Sequence, residues 1–252
     1  MKVAVISDIH GNLPALEAAL DDIDRRGVRR IICLGDIIGK GPSSKETVEL
    51  CQKRCETVLK GNWEDVLYEA YLALGRGDAG VNGRTRWYID DAGPENVEYL
   101  GSLPHSAELK LGGRLIRLFH AHPRDFSRYY AESPVSQRLE LFEPGAGDEG
   151  GRPADVAVYG DIHGAYMQTV KKKYILLNAG SVGNPLDLPQ ASYIVLEGDA
   201  DGEDGAGGGF AAQFVRLPYD IERAVSIARA RKPPDLDGYI VELRTGKYFN
   251  RA

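Results

Sequence analysis

A two-sheet α/β sandwich flanked by helices is the fold class that three observations predict. The first third of the chain alternates short apolar runs with amphipathic helical segments. The middle and later parts carry strand pairs separated by hairpin-type turns. Several apolar runs end in a polar motif, as buried strands do when they deliver side chains to one rim of a sheet. Alternating β and α units imply parallel strands with right-handed crossovers, whereas hairpins need antiparallel pairs. Parallel units first and hairpins later point to two sheets.

The elements follow in order. Val3-Ala4-Val5-Ile6 predicts a strand over 3–7. Leu13, Leu16, Leu20 and Ile23 keep helical spacing over 13–26, and Gly27 fits a C-terminal stop. A strand at 31–35 precedes a helix at 44–55, capped by Ser43 or Ser44, with Val48, Cys51 and Cys55 facing inward. A strand at 56–60 closes the βαβαβ opening. Residues 63–74, 84–91 and 95–101 read as helices, and strands at 106–111 and 114–120 flank Gly112-Gly113. Residues 124–142 read as a helix over the site and 143–153 as a loop. Strands at 155–160, 166–170, 174–178, 192–197 and 211–217 precede helices at 219–231 and 239–244. No repeat and no linker divides the chain, so 1–252 is expected to be one domain with helical insertions at about 63–104 and 123–153.

Composition narrows the function classes. The net charge of −6 provides no general basic footprint for nucleic acid. No apolar stretch approaches the roughly 18 residues that span a membrane. The N-terminus enters a strand pattern directly, and Cys33, Cys51 and Cys55 read as packing residues, so a cytoplasmic setting is expected. Apolar helix faces leave room for a homo-oligomer without demanding one. The acidic, Gly-rich stretch at 199–209 resembles a calcium loop, but its sixth position is Asp204 where that loop needs Gly, so it reads as a solvated turn. Lys171-Lys172-Lys173 reads as a hairpin turn.

The chemistry-bearing motifs sit at the strand ends: Asp8-Ile9-His10, Gly35-Asp36, Gly61-Asn62, His120, and Gly160-Asp161-Ile162-His163. Asp, His and Asn without Cys form the donor set of divalent transition metals in hydrolytic sites. Of the five histidines, His10, His120, His122 and His163 lie in or beside these motifs. Each motif alone has a plainer reading. Asn12 and Asn62 fit helix caps, Asp36 a turn, and His10 a polar strand end. Only the combination argues for a metal site.

With these blocks in this order, the sequence resembles the calcineurin-like metallophosphoesterase superfamily, and within it the small bacterial and archaeal phosphodiesterases. Ser7-Asp8-Ile9-His10-Gly11-Asn12 matches the first block, and Asn178-Ala179-Gly180-Ser181-Val182-Gly183-Asn184-Pro185 resembles a later Gly-Ser stretch. The resemblance runs from residue 3 to about 198. It implies a two-sheet fold and two divalent ions, Mn²⁺ first, with Fe, Ni or Zn also accommodated. One ion would be held by Asp8, His10, Asp36 and His163, the other by Asp36, Asn62, His120 and Asp161. It implies a phosphate-ester substrate, with phosphodiester hydrolysis by a hydroxide that bridges the ions. The alternatives are a phosphoprotein or phosphomonoester phosphatase, or a weakly catalytic metal- or ligand-binding protein of the same fold.

Two positions depart from the family pattern. Asp161 stands where His is usual, adding a negative charge and an oxygen donor. Trp63 stands where many members have a His that protonates the leaving group, and an indole cannot transfer that proton. His122 is the candidate substitute acid. Asn12, Trp63 and Arg124 are the candidate substrate contacts.

Overall fold

Two five-stranded mixed sheets pack face to face in the computed structural model, which describes residues 1–78, 80–145, 151–199 and 209–249. In chain order, β1 (Lys2–Ile6), α1 (Leu13–Arg25), β2 (Arg30–Cys33), α2 (Ser44–Arg54) and β3 (Thr57–Val58) form the opening. Three helices follow, α3 (Asn62–Gly75), α4 (Gly83–Ala92) and α5 (Pro94–Gly101). Then come β4 (Ser106–Leu111), β5 (Arg114–Phe119), a short α6 (Val135–Glu140), β6 (Val156–Tyr159), β7 (Tyr166–Val170) and β8 (Tyr174–Asn178). β9 (Ala191–Gly198), β10 (Phe210–Leu217), α7 (Ile221–Arg231) and α8 (Leu236–Thr245) complete the described chain.

The first sheet has the order β10-β9-β1-β2-β3 and the second β4-β5-β6-β8-β7. β1, β2 and β3 are parallel, as are β5, β6 and β8, while β4, β7, β9 and β10 join antiparallel. The parallel strands of each sheet place the motif residues beyond their C-terminal ends. The period of two decides which face each side chain serves. Val3 and Val5 enter the core between the sheets with Ile32, Ile116, Leu118, Val156 and Val158. Ala4 and Ile6 instead meet Leu16, Leu20 and Ile23 of α1. Burial on both faces is why β1 reads as an unbroken apolar run. Cys33 and Cys51 lie in the same helix-side core, and all three cysteines are free.

The helices α3 to α5 close this side through Leu67, Tyr88, Ile89, Val97 and Leu100. On the outer face of the second sheet, Phe119, Tyr159 and Leu176 are covered by Tyr129, Leu141 and Phe142. Lys171 to Lys173 form the exposed turn between β7 and β8. Residues 200–208, which hold most of the calcium-loop look-alike, lie outside the described residues, as do 146–150 of the predicted 143–153 loop. Among the described residues no helix is long and apolar enough to cross a membrane.

Two local expectations are corrected. The predicted helix at 124–142 survives only as α6. Asp125 accepts the Ser127 amide at 2.7 Å, Ser133 Oγ accepts the Tyr130 amide at 2.9 Å, and Pro134 precedes the helix. Such local bonds compete with helical ones, and the residue before a proline avoids the α region. At α2, Ser43 occupies the N-cap without a side-chain cap bond, and Asp91 instead accepts the Ser44 amide at 2.8 Å.

Asn12, a candidate substrate contact, is a cap. Its Oδ1 accepts the Ala15 amide at 3.2 Å and its Nδ2 donates to Gly183 O at 2.7 Å, with the residue 1% exposed. Asn12→Ala should therefore cost stability, about 1–2 kcal/mol for a lost cap, and a few degrees of melting temperature. The substrate KM of the variant should stay within error of wild type. A raised KM with an unchanged melting temperature would return Asn12 to the substrate.

Candidate metal centre

Five residues of the strand-end motifs adopt left-handed backbone conformations: Asp8 (φ 54°), His10 (50°), Asp36 (51°), Asp161 (64°) and His163 (58°). The cost for a side-chain-bearing residue is roughly 1–2 kcal/mol, so the surroundings must fix each turn. They do so by cross-linking the loops. The Asp8 amide donates to Gly35 O at 3.0 Å, His10 to Asp36 O at 2.9 Å and Gly11 to Ile37 O at 2.8 Å. Gly35, at φ 107°, lies against the backbone of Gly61, where a Cβ would collide. The Gly-Asp and Gly-Asn motifs thereby touch.

Glu64, unnoticed in the sequence, pins this junction. It is fully buried and accepts the amides of Asp36 and Gly61, both at 2.7 Å, and of Ile37 at 2.9 Å. A Glu three residues past a helix cap was the available signal. Burial, aided by the charge of Asp36, pushes its carboxyl up to about 7. The Asn178–Pro185 stretch does the same for the other loops. Ser181 Oγ donates to Asp8 O at 2.6 Å and accepts the Asn184 amide at 2.8 Å, and Asn178 Nδ2 donates to Gly160 O at 2.5 Å.

At the centre, His10 Nε2 and His163 Nε2 lie 3.0 Å apart. The other ring nitrogens face carbonyl oxygens: His10 Nδ1 meets Ile38 O at 3.1 Å and His163 Nδ1 meets Asn184 O at 2.5 Å. A carbonyl only accepts, so both protons reside on Nδ1 and, in the neutral rings, two Nε2 lone pairs confront each other. Burial and the neighbouring His163 hold His10 well below the usual histidine range, so it is neutral. Asp8 Oδ1, buried and without a hydrogen bond, lies 3.2 Å from His163 Nε2 and 3.8 Å from His10 Nε2. Lone pairs and a bare carboxylate oxygen that converge without a donor fit a cation.

The second cluster adjoins the first. His120 Nε2 lies 3.1 Å from Asn62 Oδ1, 3.4 Å from Asp36 Oδ2 and 4.0 Å from Asp161 Oδ1. Burial lowers the affinity of His120 for a proton, but the carboxylates of Asp36, Asp8 and Asp161 outweigh it and lift its pKa to about 10. Burial raises Asp36 despite His120. Burial also opposes the ionised form of Asp8, yet the surrounding histidines hold its carboxyl below the ordinary range. Donor atoms of Asp8, His10 and His163, and of Asp8, Asp36 and His120, converge within 4.8 Å in each group. Asp36 Oδ2, 3.7 Å from His10 Nε2, stands between the two imidazole groups.

Asp161 is already engaged. Arg128 donates from Nε to its Oδ2 and from Nη2 to its Oδ1, both at 2.7 Å, and the Asp161 amide donates to Asp8 Oδ2 at 3.1 Å. Arg128 gave no signal in the sequence, because a single Arg in an irregular segment belongs to no pattern.

The clusters open into a cleft of about 920 Å³ lined by Asp36, Asn62, Trp63, Arg128, Asp161 and His163. Lys40, Arg84 and Tyr130 add to its walls, and α8 contributes Tyr239 and Glu242. Trp63 stands edge-on to His10 at 6.0 Å with the Arg84 guanidinium over its ring at 5.3 Å. Glu242 accepts from Lys40 Nζ and Asn184 Nδ2, both at 3.0 Å. His122 and Arg124 are not among the lining residues. His122 stacks on Tyr129 and faces Asp125 Oδ1 at 3.3 Å, and Arg124 Nε donates to Pro144 O at 3.1 Å on the exposed side. His105 packs on Phe126 outside the cleft.

Comparison with known proteins agrees with this architecture. Residues 1–201 match the model of the calcineurin-like phosphoesterase superfamily domain. The chain is 31% identical over 249 residues to the uncharacterized protein MJ0912 of Methanocaldococcus jannaschii, covering 92% of this chain and 93% of that one. Its fold is similar to that of a metallophosphoesterase from Sphaerobacter thermophilus, with a TM-score of 0.71 at 23% identity over 98% of this chain and 100% of the other. The hypothetical protein PH1004 from Pyrococcus horikoshii OT3 gives 0.71 at 19% identity over 98% and 99%. The two-sheet fold and the match over most of its length establish that this chain belongs to the calcineurin-like phosphoesterase superfamily.

Proposed function

We propose that the chain is a divalent-metal-dependent phosphodiesterase in which Asp8, His10, Asp36, Asn62, His120 and His163 hold two ions. The observation that carries this reading is the pair of imidazole nitrogens 3.0 Å apart with both Nδ1 atoms committed to carbonyl oxygens. Oxygen donors from Asp8, Asp36 and Asn62 favour Mn²⁺ over softer ions. When bound, such ions supply Lewis acidity toward a phosphoryl oxygen and a water of lowered pKa.

The protein supplies the rest. Ile38 O and Asn184 O fix the tautomer and orientation of the two histidines, as second partners of ligating imidazoles do. Lys40, Arg84 and Arg128 line the cleft, each paired with a carboxylate (Glu242, Asp235 and Asp161), so the net attraction for an anionic substrate would come from the bound ions while these cations offer it directed N–H donors. Trp63 occupies the wall beside His10 and offers no transferable proton, and His122 lies off the cleft. A leaving group should therefore depart unprotonated, which favours esters of acidic alcohols and phenols.

Three outcomes check the proposal. Mn²⁺ should raise the melting temperature of chelator-treated protein, because it relieves the facing lone pairs; saturation at 100 times Kd contributes about 2.7 kcal/mol. Asp36→Asn should cut Mn²⁺-dependent hydrolysis of bis-p-nitrophenyl phosphate by about 10²-fold or more and lower bound metal. Wild-type turnover in that folded variant would refute the paired-ion reading. Trp63→His should accelerate esters with leaving groups of high pKa by up to about 10²-fold and those of low pKa far less. Equal gains across the series would remove the argument from the missing acid.

A further inference from the structure

We infer that Asp161 is not a metal ligand but the anchor of a phosphate clamp, in which it holds the Arg128 guanidinium in the cleft for a non-bridging oxygen of the substrate. The inference rests on the functional reading above and assigns the phosphate-binding group of that site.

Four observations carry it. Both Asp161 oxygens are taken by Arg128 in a side-on pair at 2.7 Å, and the Asp161 side chain is 2% exposed. Among the described residues, the converging donor groups are those of Asp8, His10 and His163 and of Asp8, Asp36 and His120, and Asp161 belongs to neither. The Arg128 side chain is 52% exposed and lines the same cleft as Asp36, Asn62 and His163. Its backbone is tied to the strand that delivers Asp161: Tyr159 Oη, in β6, donates to the carbonyl of Tyr129 at 2.8 Å, and Tyr129 is buried in the core of that face. Arg128 is thus fixed from both ends. Asp161 uses the Nε and Nη2 edge, and Nη1, with two N–H donors, is not part of the pair.

Charge supports the same assignment. Two divalent ions held by Asp8 and Asp36 retain a net charge of about +2, and a third carboxylate ligand would lower it and weaken both ions as Lewis acids. Arg128 cancels the charge of Asp161 and leaves the ions as they were. Asp161 then serves as a positioning residue and Arg128 as a binding residue. A guanidinium fits this task better than an ammonium, because its planar donors address a carboxylate and a phosphate oxygen at once.

The test uses the full chain loaded with Mn²⁺ and inorganic phosphate as the probe. Bound Mn²⁺ per chain and the phosphate Kd would be measured for wild type, Arg128→Met, Arg128→Lys and Asp161→Asn. Arg128→Met should keep the wild-type Mn²⁺ count and weaken phosphate binding by roughly 10–100-fold, the usual size of a charge-assisted hydrogen bond. Arg128→Lys should recover only part of that loss. Asp161→Asn should also keep the metal count and weaken phosphate binding, raising KM more than it lowers kcat. Loss of one Mn²⁺ in Asp161→Asn would make Asp161 a ligand and overturn the inference. Unchanged phosphate affinity in Arg128→Met, with its fold confirmed by a cooperative melting curve, would also overturn it. If wild type takes up no Mn²⁺, the functional reading fails. The clamp is then decided by phosphate titration of the metal-free chain, where wild type must still bind more tightly than Arg128→Met.

Discussion

The arrangement depends on one backbone constraint: five of the residues that converge on the cleft occupy left-handed conformations in the loops just after buried strands. A parallel sheet alone would send its chains straight past the rim. The left-handed turns at Asp8, His10, Asp36, Asp161 and His163 fold each loop back, so that side chains from separate strands meet within hydrogen-bonding distance. Asp is among the residues that tolerate this region best, and His is also enriched there. The summed strain is several kcal/mol, offset by loop-to-loop amide bonds, by Glu64 as an acceptor and by Ser181 as a donor to Asp8 O. Strain and lacing are two sides of one design, because a loop free to relax would not hold its donors in place.

That constraint explains what was legible. A strand end followed by Asp, His or Asn is a local pattern, and the five motifs reported the converging side chains because topology brings parallel strand ends together. The supporting residues were not legible in the same way. Glu64 is a helix residue whose partners lie 28 and 27 positions away, at Asp36 and Ile37. Arg128 meets Asp161 across 33 positions of chain. Only the cap spacing from Gly61 marks Glu64 locally, and it says nothing of the loop at Asp36; nothing local marks Arg128. The segment 124–142 reads as a helix, yet Tyr129, Leu141 and Phe142 serve the outer face of the second sheet from outside α6. Asn12 and His122 show a different ambiguity. Residue types that suit a site also suit a cap or a stacking contact, and only the fold separates the two uses.

Electrostatics gives the cluster its direction. Carboxylates and imidazoles buried together are costly unless charge is balanced within the group. His120 answers with a pKa lifted to about 10, Asp36 with one raised above its ordinary value, and Asp161 with a guanidinium of its own. The first is a response to the surrounding carboxylates, the second chiefly to burial, and the third is a local remedy at the edge. Protons and divalent ions compete for the same kinds of oxygen and nitrogen, so the charge balance within the cluster is also what a bound ion would displace.

Helix α8 has a consequence for the boundaries of the working unit. Glu242 reaches Lys40 and Asn184, and the carbonyl of Asn184 orients His163. The family match ends at residue 201, whereas this helix spans Leu236–Thr245. A graft, truncation or chimera cut at the family limit would keep all the proposed donors and lose the brace behind one of them. The portable module is therefore larger than the homologous one, and inheritance of the donor residues does not guarantee inheritance of their alignment.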